Sequence, residues 1–141
     1  MEFQGEFQHT LDDKGRMVLP AAFRERLSTG VVLVKGHERT VNLWPVSAYE
    51  RRVAEARESI DRNTKRGRAQ FRILMAGHKQ VPDSQGRIVV PAALREYAHL
   101  DRDLLVLGHD DNVEIWDRAR YDAYLDEIDE EFSEYDEGAG E

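Results

Sequence analysis

The chain has 141 residues, no cysteine and a formal net charge of −8. That length suits one compact unit or two very small ones sharing a core, and without cysteine neither disulfides nor cysteine-based zinc sites can form, in keeping with a reducing cytosol. No apolar run is long enough to cross a bilayer and MEFQGEFQHT lacks the regions of a signal peptide, so a cytoplasmic location is expected.

The acidic excess at first argues against a nucleic-acid partner, but it is confined to one end. Residues 122–141 hold ten acidic and no basic side chains, which leaves 20 basic against 18 acidic residues in 1–121. Residues 51–72 are locally positive, with eight basic side chains against three acidic ones. A solvated helix face explains such a stretch by default, and a subunit interface or a docking site for the tail is the functional alternative.

Taken in chain order, residues 6–10 read as extended and lead into LDDKGRMVLP. Asp12 can accept backbone hydrogen bonds from just downstream and Gly15 can supply a left-handed backbone, so 12–16 predicts a tight turn. Met17–Leu19 predicts a short strand without polar alternation, expected to be covered on both faces. Pro20 closes it and opens a helix on which Phe23 and Leu27 fall four apart. VVLV and TVNLW around KGHER predict a hairpin ending at Trp44, more readily a core anchor than a stacking platform. Val46, Tyr49, Val53, Ala56 and Ile60 form a helical apolar stripe, and a further helix around 64–76 carries Phe71, Leu74 and Met75.

The same plan then repeats. An extended segment at 77–81 leads into a turn at 83–87, a strand Ile88–Val90, Pro91, and a helix carrying Leu94 and Ala98. LLVL and VEIW flank GHDDN and end at Trp116. Tyr121, Leu125, Ile128, Phe132 and Tyr135 make a second stripe, expected to fray within EYDEGAGE. At an offset of 71, Asp12/Asp83, Gly15/Gly86, Arg16/Arg87, Pro20/Pro91 and Arg24/Arg95 coincide. Gly36/Gly108, His37/His109, Trp44/Trp116 and Tyr49/Tyr121 coincide at 72. This is an internal duplication, and two copies predict a pseudo-twofold unit rather than a solenoid. The expected class is α+β with a mainly β, barrel-like core shared by both halves. The expected divisions are a first unit 1–50, a helical connector 51–76, a second unit 77–120, and a C-terminal helix with acidic tail 121–141.

The two turns are the chemistry-bearing motif. Arg16 and Arg87 leave their turns at the base of a strand, and each either pairs with its own aspartate or presents its guanidinium outward. Two symmetric turns on one surface favour presentation, because arginine can bond a guanine edge or a phosphate in bidentate fashion. Lys14, Arg24 and Arg95 add positive charge. Read as paired catalytic carboxylates instead, Asp12 and Asp83 have no nucleophile elbow, phosphate loop or ligand cluster beside them, so no enzyme activity is expected. The five histidines show no metal-ligand spacing, and no metal or cofactor is expected.

LDDKGRMVLPAAFRERL, PDSQGRIVVPAALREYAHL and LLVLGHDDNVEIW together resemble the MraZ family, bacterial transcriptional regulators with two SpoVT–AbrB-type units in one chain. The resemblance covers roughly 1–130. It implies a duplicated AbrB-type swapped-hairpin, double-ψ-like β-barrel with flanking helices, and a homo-oligomeric ring larger than a dimer. It implies binding to double-stranded DNA at repeated promoter boxes, association with the nucleoid, and repression of the division and cell-wall gene cluster. Carried over by position, the contacts are Lys14, Gly15 and Arg16, structured by Asp12. The second loop supplies Gln85, Gly86 and Arg87, structured by Asp83, and has a weaker pull because Gln85 stands where the first has Lys14. Arg24 and Arg95 are secondary contacts. The alternative is an antitoxin-like AbrB-type module whose acidic tail binds a protein partner.

Overall fold

The computed structural model describes residues 2–139. In chain order the elements are β1 (Glu6–Thr10), β2 (Arg16–Val18), α1 (Ala21–Leu27), β3 (Val31–Lys35), a 3₁₀ turn (His37–Arg39), β4 (Val41–Pro45), α2 (Val46–Ser59) and α3 (Lys65–Met75). The second half follows with β5 (His78–Gln80), β6 (Arg87–Val89), α4 (Ala92–Tyr97), β7 (Asp103–His109), β8 (Asn112–Asp117) and α5 (Arg118–Ala139). The chain is thus mixed α and β, built on antiparallel strands.

The two halves are interleaved. The larger sheet runs β1-β7-β8-β4-β3-β5, and the smaller pairs β2 with β6. The N-terminal strand of the first half therefore adds to the hairpin of the second, and β5 of the second adds to the hairpin of the first. Both registers mark a pseudo-twofold axis. In the small ladder Met17 faces its own counterpart Ile88. In the large sheet Asn42 faces Glu114, its counterpart at the offset of 72.

One apolar core unites both halves. Met17, Leu19, Phe23 and Leu33 from the first pack with Ile88, Val90, Leu104 and Ile115 from the second. Phe23 also takes the edges of Phe3 and Phe7, so burial at this one side chain ties β1 to α1. Two satellite clusters lie under the long helices. Val53, Ala56 and Leu74 join α2 to α3, and Leu105, Trp116 and Tyr121 join β7 and β8 to α5.

Several expectations are refined. β2 and β6 begin at the arginines and end before Leu19 and Val90. Only one face of this ladder is covered: Met17 and Ile88 are buried, whereas Val89 is 44 % exposed. The ladder has two strands among the described residues, and its outer face meets solvent at Val89. Pro20 and Pro91 stand as N-caps rather than inside the first turn, in extended conformation. Trp116 is buried against Tyr121 and Tyr124, while Trp44 is half-buried. Helix α5 runs unbroken to Ala139 instead of fraying before it, and residues 140 and 141 lie outside the described residues. No helix among the described residues is long and apolar enough to cross a membrane.

Candidate nucleic-acid interface

Each turn is held by its aspartate in the same way. Asp12 Oδ1 accepts from the backbone N–H groups of Lys14 (2.9 Å) and Arg16 (2.8 Å), and Oδ2 accepts from Arg16 Nε (2.8 Å). Asp83 does the same for Gln85, Arg87 and Arg87 Nε, at 2.9, 2.9 and 2.8 Å. Gly15 and Gly86 take φ of +76° and +73°, the left-handed region that a side chain disfavours. The backbone N–H of Arg16, above all, holds the Asp12 carboxyl below its ordinary range, and that of Arg87 does so for Asp83.

The pairing of arginine with aspartate does not exclude presentation. Only Nε is engaged, and among the described residues neither Nη of Arg16 or Arg87 carries a hydrogen bond. The aspartate therefore fixes the direction of each guanidinium while its forked end stays open. The side chains remain accessible, 36 % for Arg16 and 33 % for Arg87.

The ladder brings the two arginines to one face. Arg16 lies opposite Val89 and Val18 opposite Arg87. Side chains alternate across a strand, so Arg16, Val18, Arg87 and Val89 share the outer face while Met17 and Ile88 point to the core. By strand geometry the two arginine Cα atoms lie about 8 Å apart. Gln80 supports this ladder from its side, donating to the carbonyl of Val89 (2.7 Å) and accepting from its N–H (2.8 Å).

Arg24 and Arg95 cross over. Arg24 Nε donates to the Leu19 carbonyl at 2.9 Å and Arg95 Nε to the Val90 carbonyl at 3.0 Å. Arg24 then lies against Gly86, and Arg95 against Gly15. The carbonyls of the two glycines cross likewise, accepting from Leu19 N–H (2.9 Å) and Val90 N–H (2.8 Å) of the opposite half. Each turn thus carries three cationic or polar side chains from two halves: Lys14, Arg16 and Arg95 at the first, Gln85, Arg87 and Arg24 at the second. Lys14 and Gln85 are exposed at the turn tips.

The crossing and the support from Gln80 escape a reading by spacing, because both depend on which strand pairs with which. The one sequence signal is the matched position of Arg24 and Arg95 four residues after proline. No group of three or more histidine, aspartate or glutamate residues able to hold a metal occurs among the described residues.

The model of a family described as "MraZ protein, putative antitoxin-like" matches residues 3–71 and again residues 73–139. The second match extends past residue 130, so the resemblance does not end where the acidic tail begins. A protein of Salinispora tropica named transcriptional regulator MraZ is 44 % identical over 137 residues, 96 % of each chain. Its namesake in Micrococcus luteus is 43 % identical over 136 residues, 96 % of this chain and 94 % of its own. That of Kineococcus radiotolerans is 40 % identical over 133 residues, 94 % of this chain and 92 % of its own.

Proposed function

The chain belongs to the MraZ family, and from that premise we propose that it is a DNA-binding transcriptional regulator that reads double-stranded DNA through its two turns. The names of its relatives support regulation of transcription. The finer reading is repression of the division and cell-wall gene cluster from repeated promoter boxes, by a ring of subunits associated with the nucleoid. Residues 1–50 and 77–120 act as the two DNA-binding units, joined by 51–76 and followed by the helix and tail of 121–141.

One observation carries this reading: Arg16 and Arg87 stand on the outer face of a two-stranded ladder, each aimed by an aspartate through Nε with both Nη open. A two-stranded ribbon is narrow enough for a major groove, and an open guanidinium fork matches O6 and N7 of guanine. Lys14, Arg24 and Arg95 add charge for phosphates, which set affinity and register rather than sequence preference. The local sign of this face offsets the acidic total.

The test is a footprint of the purified protein on DNA upstream of its own gene, compared with Arg16→Ala. Protected repeats that vanish in the variant are the expected result, and equal protection by both proteins refutes the reading. The antitoxin-like reading rests on the acidic helix α5, and a co-purifying protein released by deletion of that helix would favour it.

A further inference from the structure

The outer face of the small ladder holds two kinds of side chain in a checkerboard. Arg16 and Arg87 occupy one diagonal, Val18 and Val89 the other. The bonds from Leu19 N–H to the Gly86 carbonyl and from Val90 N–H to the Gly15 carbonyl bracket the pairs Val18–Arg87 and Arg16–Val89. Both are therefore non-hydrogen-bonded pairs, the kind whose Cα atoms come closest, about 4.5 Å apart. Each arginine stands against a valine of the opposite half.

The two valines belong to this face and not to the interior. Among the described residues the shared core takes Met17, Leu19, Ile88 and Val90 and leaves out Val18 and Val89. Val89 is 44 % exposed, and Gln80 engages both its N–H and its carbonyl, so its side chain stands on a braced backbone. Val18 is half-buried and borders a cleft of about 430 Å³ that it shares with His9 and Thr10.

The arginines do not hold a ligand away from these valines. The Asp12 carboxyl accepts from both the backbone N–H and Nε of Arg16, so that side chain curls back along its own turn instead of extending straight off the ladder. Asp83 imposes the same curl on Arg87. The curl lowers each guanidinium toward the level of the valine methyls. In the major groove guanine offers O6 and N7 while thymine offers a 5-methyl group. Successive bases of a strand lie about 3.4 Å apart, and opposed Cβ atoms about 4.5–5.5 Å apart, so one arginine and its valine can span neighbouring base edges.

We propose that Val18 and Val89 are specificity-determining residues that pack on thymine 5-methyl groups beside the guanines taken by Arg87 and Arg16. Each reading unit is then an arginine of one half with a valine of the other. This rests on the DNA-reading function proposed above and adds thymine to the bases read. Val89 makes the larger contribution, because it is the more exposed and is set against Arg16, whose turn also carries Lys14.

The probe is the DNA fragment upstream of the protein's own gene, prepared once with thymine and once with deoxyuridine throughout, which removes only the 5-methyl groups. Affinities are measured for the full wild-type chain, for Val18→Ala, for Val89→Ala and for the double variant, with circular dichroism to check folding. The wild type should bind the uracil fragment about fourfold more weakly for each methyl contacted, the worth of one buried methyl group. Val89→Ala should shrink that ratio more than Val18→Ala, and the double variant should bind both fragments alike. Should alanine unfold the ladder, Val89→Thr keeps the β-branched shape and one methyl group, and should reduce the ratio without abolishing it. Equal binding of the two fragments by the wild type overturns the methyl contact and leaves the arginine reading standing. So does a folded double variant that discriminates as strongly as the wild type, because the valines then serve the strand alone. A wild type that does not prefer the thymine fragment to scrambled DNA of the same composition overturns the DNA-reading function as well.

Discussion

Arg95 of the second half lies over Gly15 of the first, so close that a Cβ at Gly15 would stand 2.9 Å from the guanidinium carbon. The reciprocal pair, Arg24 over Gly86, gives the same 2.9 Å to Cδ and Nε. Each glycine therefore answers two demands, a left-handed backbone and room for the arginine of the opposite half. Gly15→Ala is expected to cost about 1–2 kcal/mol from the backbone alone and to push Arg95 aside. A thermal melt should fall by several degrees, about 2–8 °C on the usual scale. An unchanged melting temperature would show that the turn relaxes without strain.

The exchanged strands bear on cooperativity. Among the described residues β1 pairs only with β7 and β5 only with β3, so neither half completes its sheet from its own strands. The protein should unfold in a single transition, and fragments 1–76 and 77–141 should be unfolded separately by circular dichroism. Met17→Ala, at the pseudo-axis and 1 % exposed, should cost about 2–5 kcal/mol and destabilise both halves together. Independent melting of the two fragments would contradict the shared core.

Much of this was legible along the chain. The turns at 12–16 and 83–87, both hairpins and the stripes of α2 and α5 follow from local chemistry and spacing, which is where sequence carries the most information. The exchange of β1 and β5, the crossing of Arg24 and Arg95, and the open outer face at Val89 do not. They depend on pairings between residues some 45 to 100 positions apart, and no local pattern distinguishes pairing within a half from pairing across halves. The two readings of Arg16, pairing and presentation, looked exclusive in sequence. The structure reconciles the geometry, because Nε satisfies the aspartate while both Nη stay open.

Tyr121 gives an alkaline signature. It is buried and donates to Glu6, and burial first, with that hydrogen bond second, pushes its hydroxyl up to about 12. The folded state favours the neutral phenol, so this contribution is complete below the ordinary value near 10 and is lost as pH rises through about 12. Tyr121→Phe should cost about 0.5–1.5 kcal/mol at neutral pH and flatten the loss of stability between pH 10 and 12. Parallel pH profiles for variant and wild type would show that another group governs the alkaline limb.

Asp12 and Asp83 give the acid counterpart. Their folded-state acidities are depressed from the ordinary 3.8, so their contribution is present above that value and is lost as pH falls through the lower folded values. Melting temperature should be level from neutral pH to about pH 5 as far as these groups act, then drop on further acidification. The double variant Asp12→Asn with Asp83→Asn should show a shallower acid limb. A limb as steep as the wild type's would place the acid sensitivity elsewhere.

Stability and recognition separate at the first turn. Asp12 accepts three hydrogen bonds, two of them from backbone N–H groups, whereas Arg16 contributes one bond to an exposed pair. Exposed ion pairs are worth about 0–1 kcal/mol, so Arg16→Ala should melt close to wild type and Asp12→Ala should melt distinctly lower. In DNA binding the order reverses in kind. Arg16→Ala removes a directed fork and should lose about 1–3 kcal/mol per site against the correct sequence, a loss that compounds if the proposed ring engages several boxes at once. Lys14→Ala should weaken all sequences alike and reduce the salt slope by about one. Arg87→Ala should cost less than Arg16→Ala, because Gln85 leaves its turn with less positive charge. Titrations of operator and scrambled DNA at two salt concentrations, alongside thermal melts, resolve all four variants. A folded Arg16→Ala protein that still discriminates operator from scrambled DNA would mean that the turn is a structural clasp and that sequence is read by other side chains.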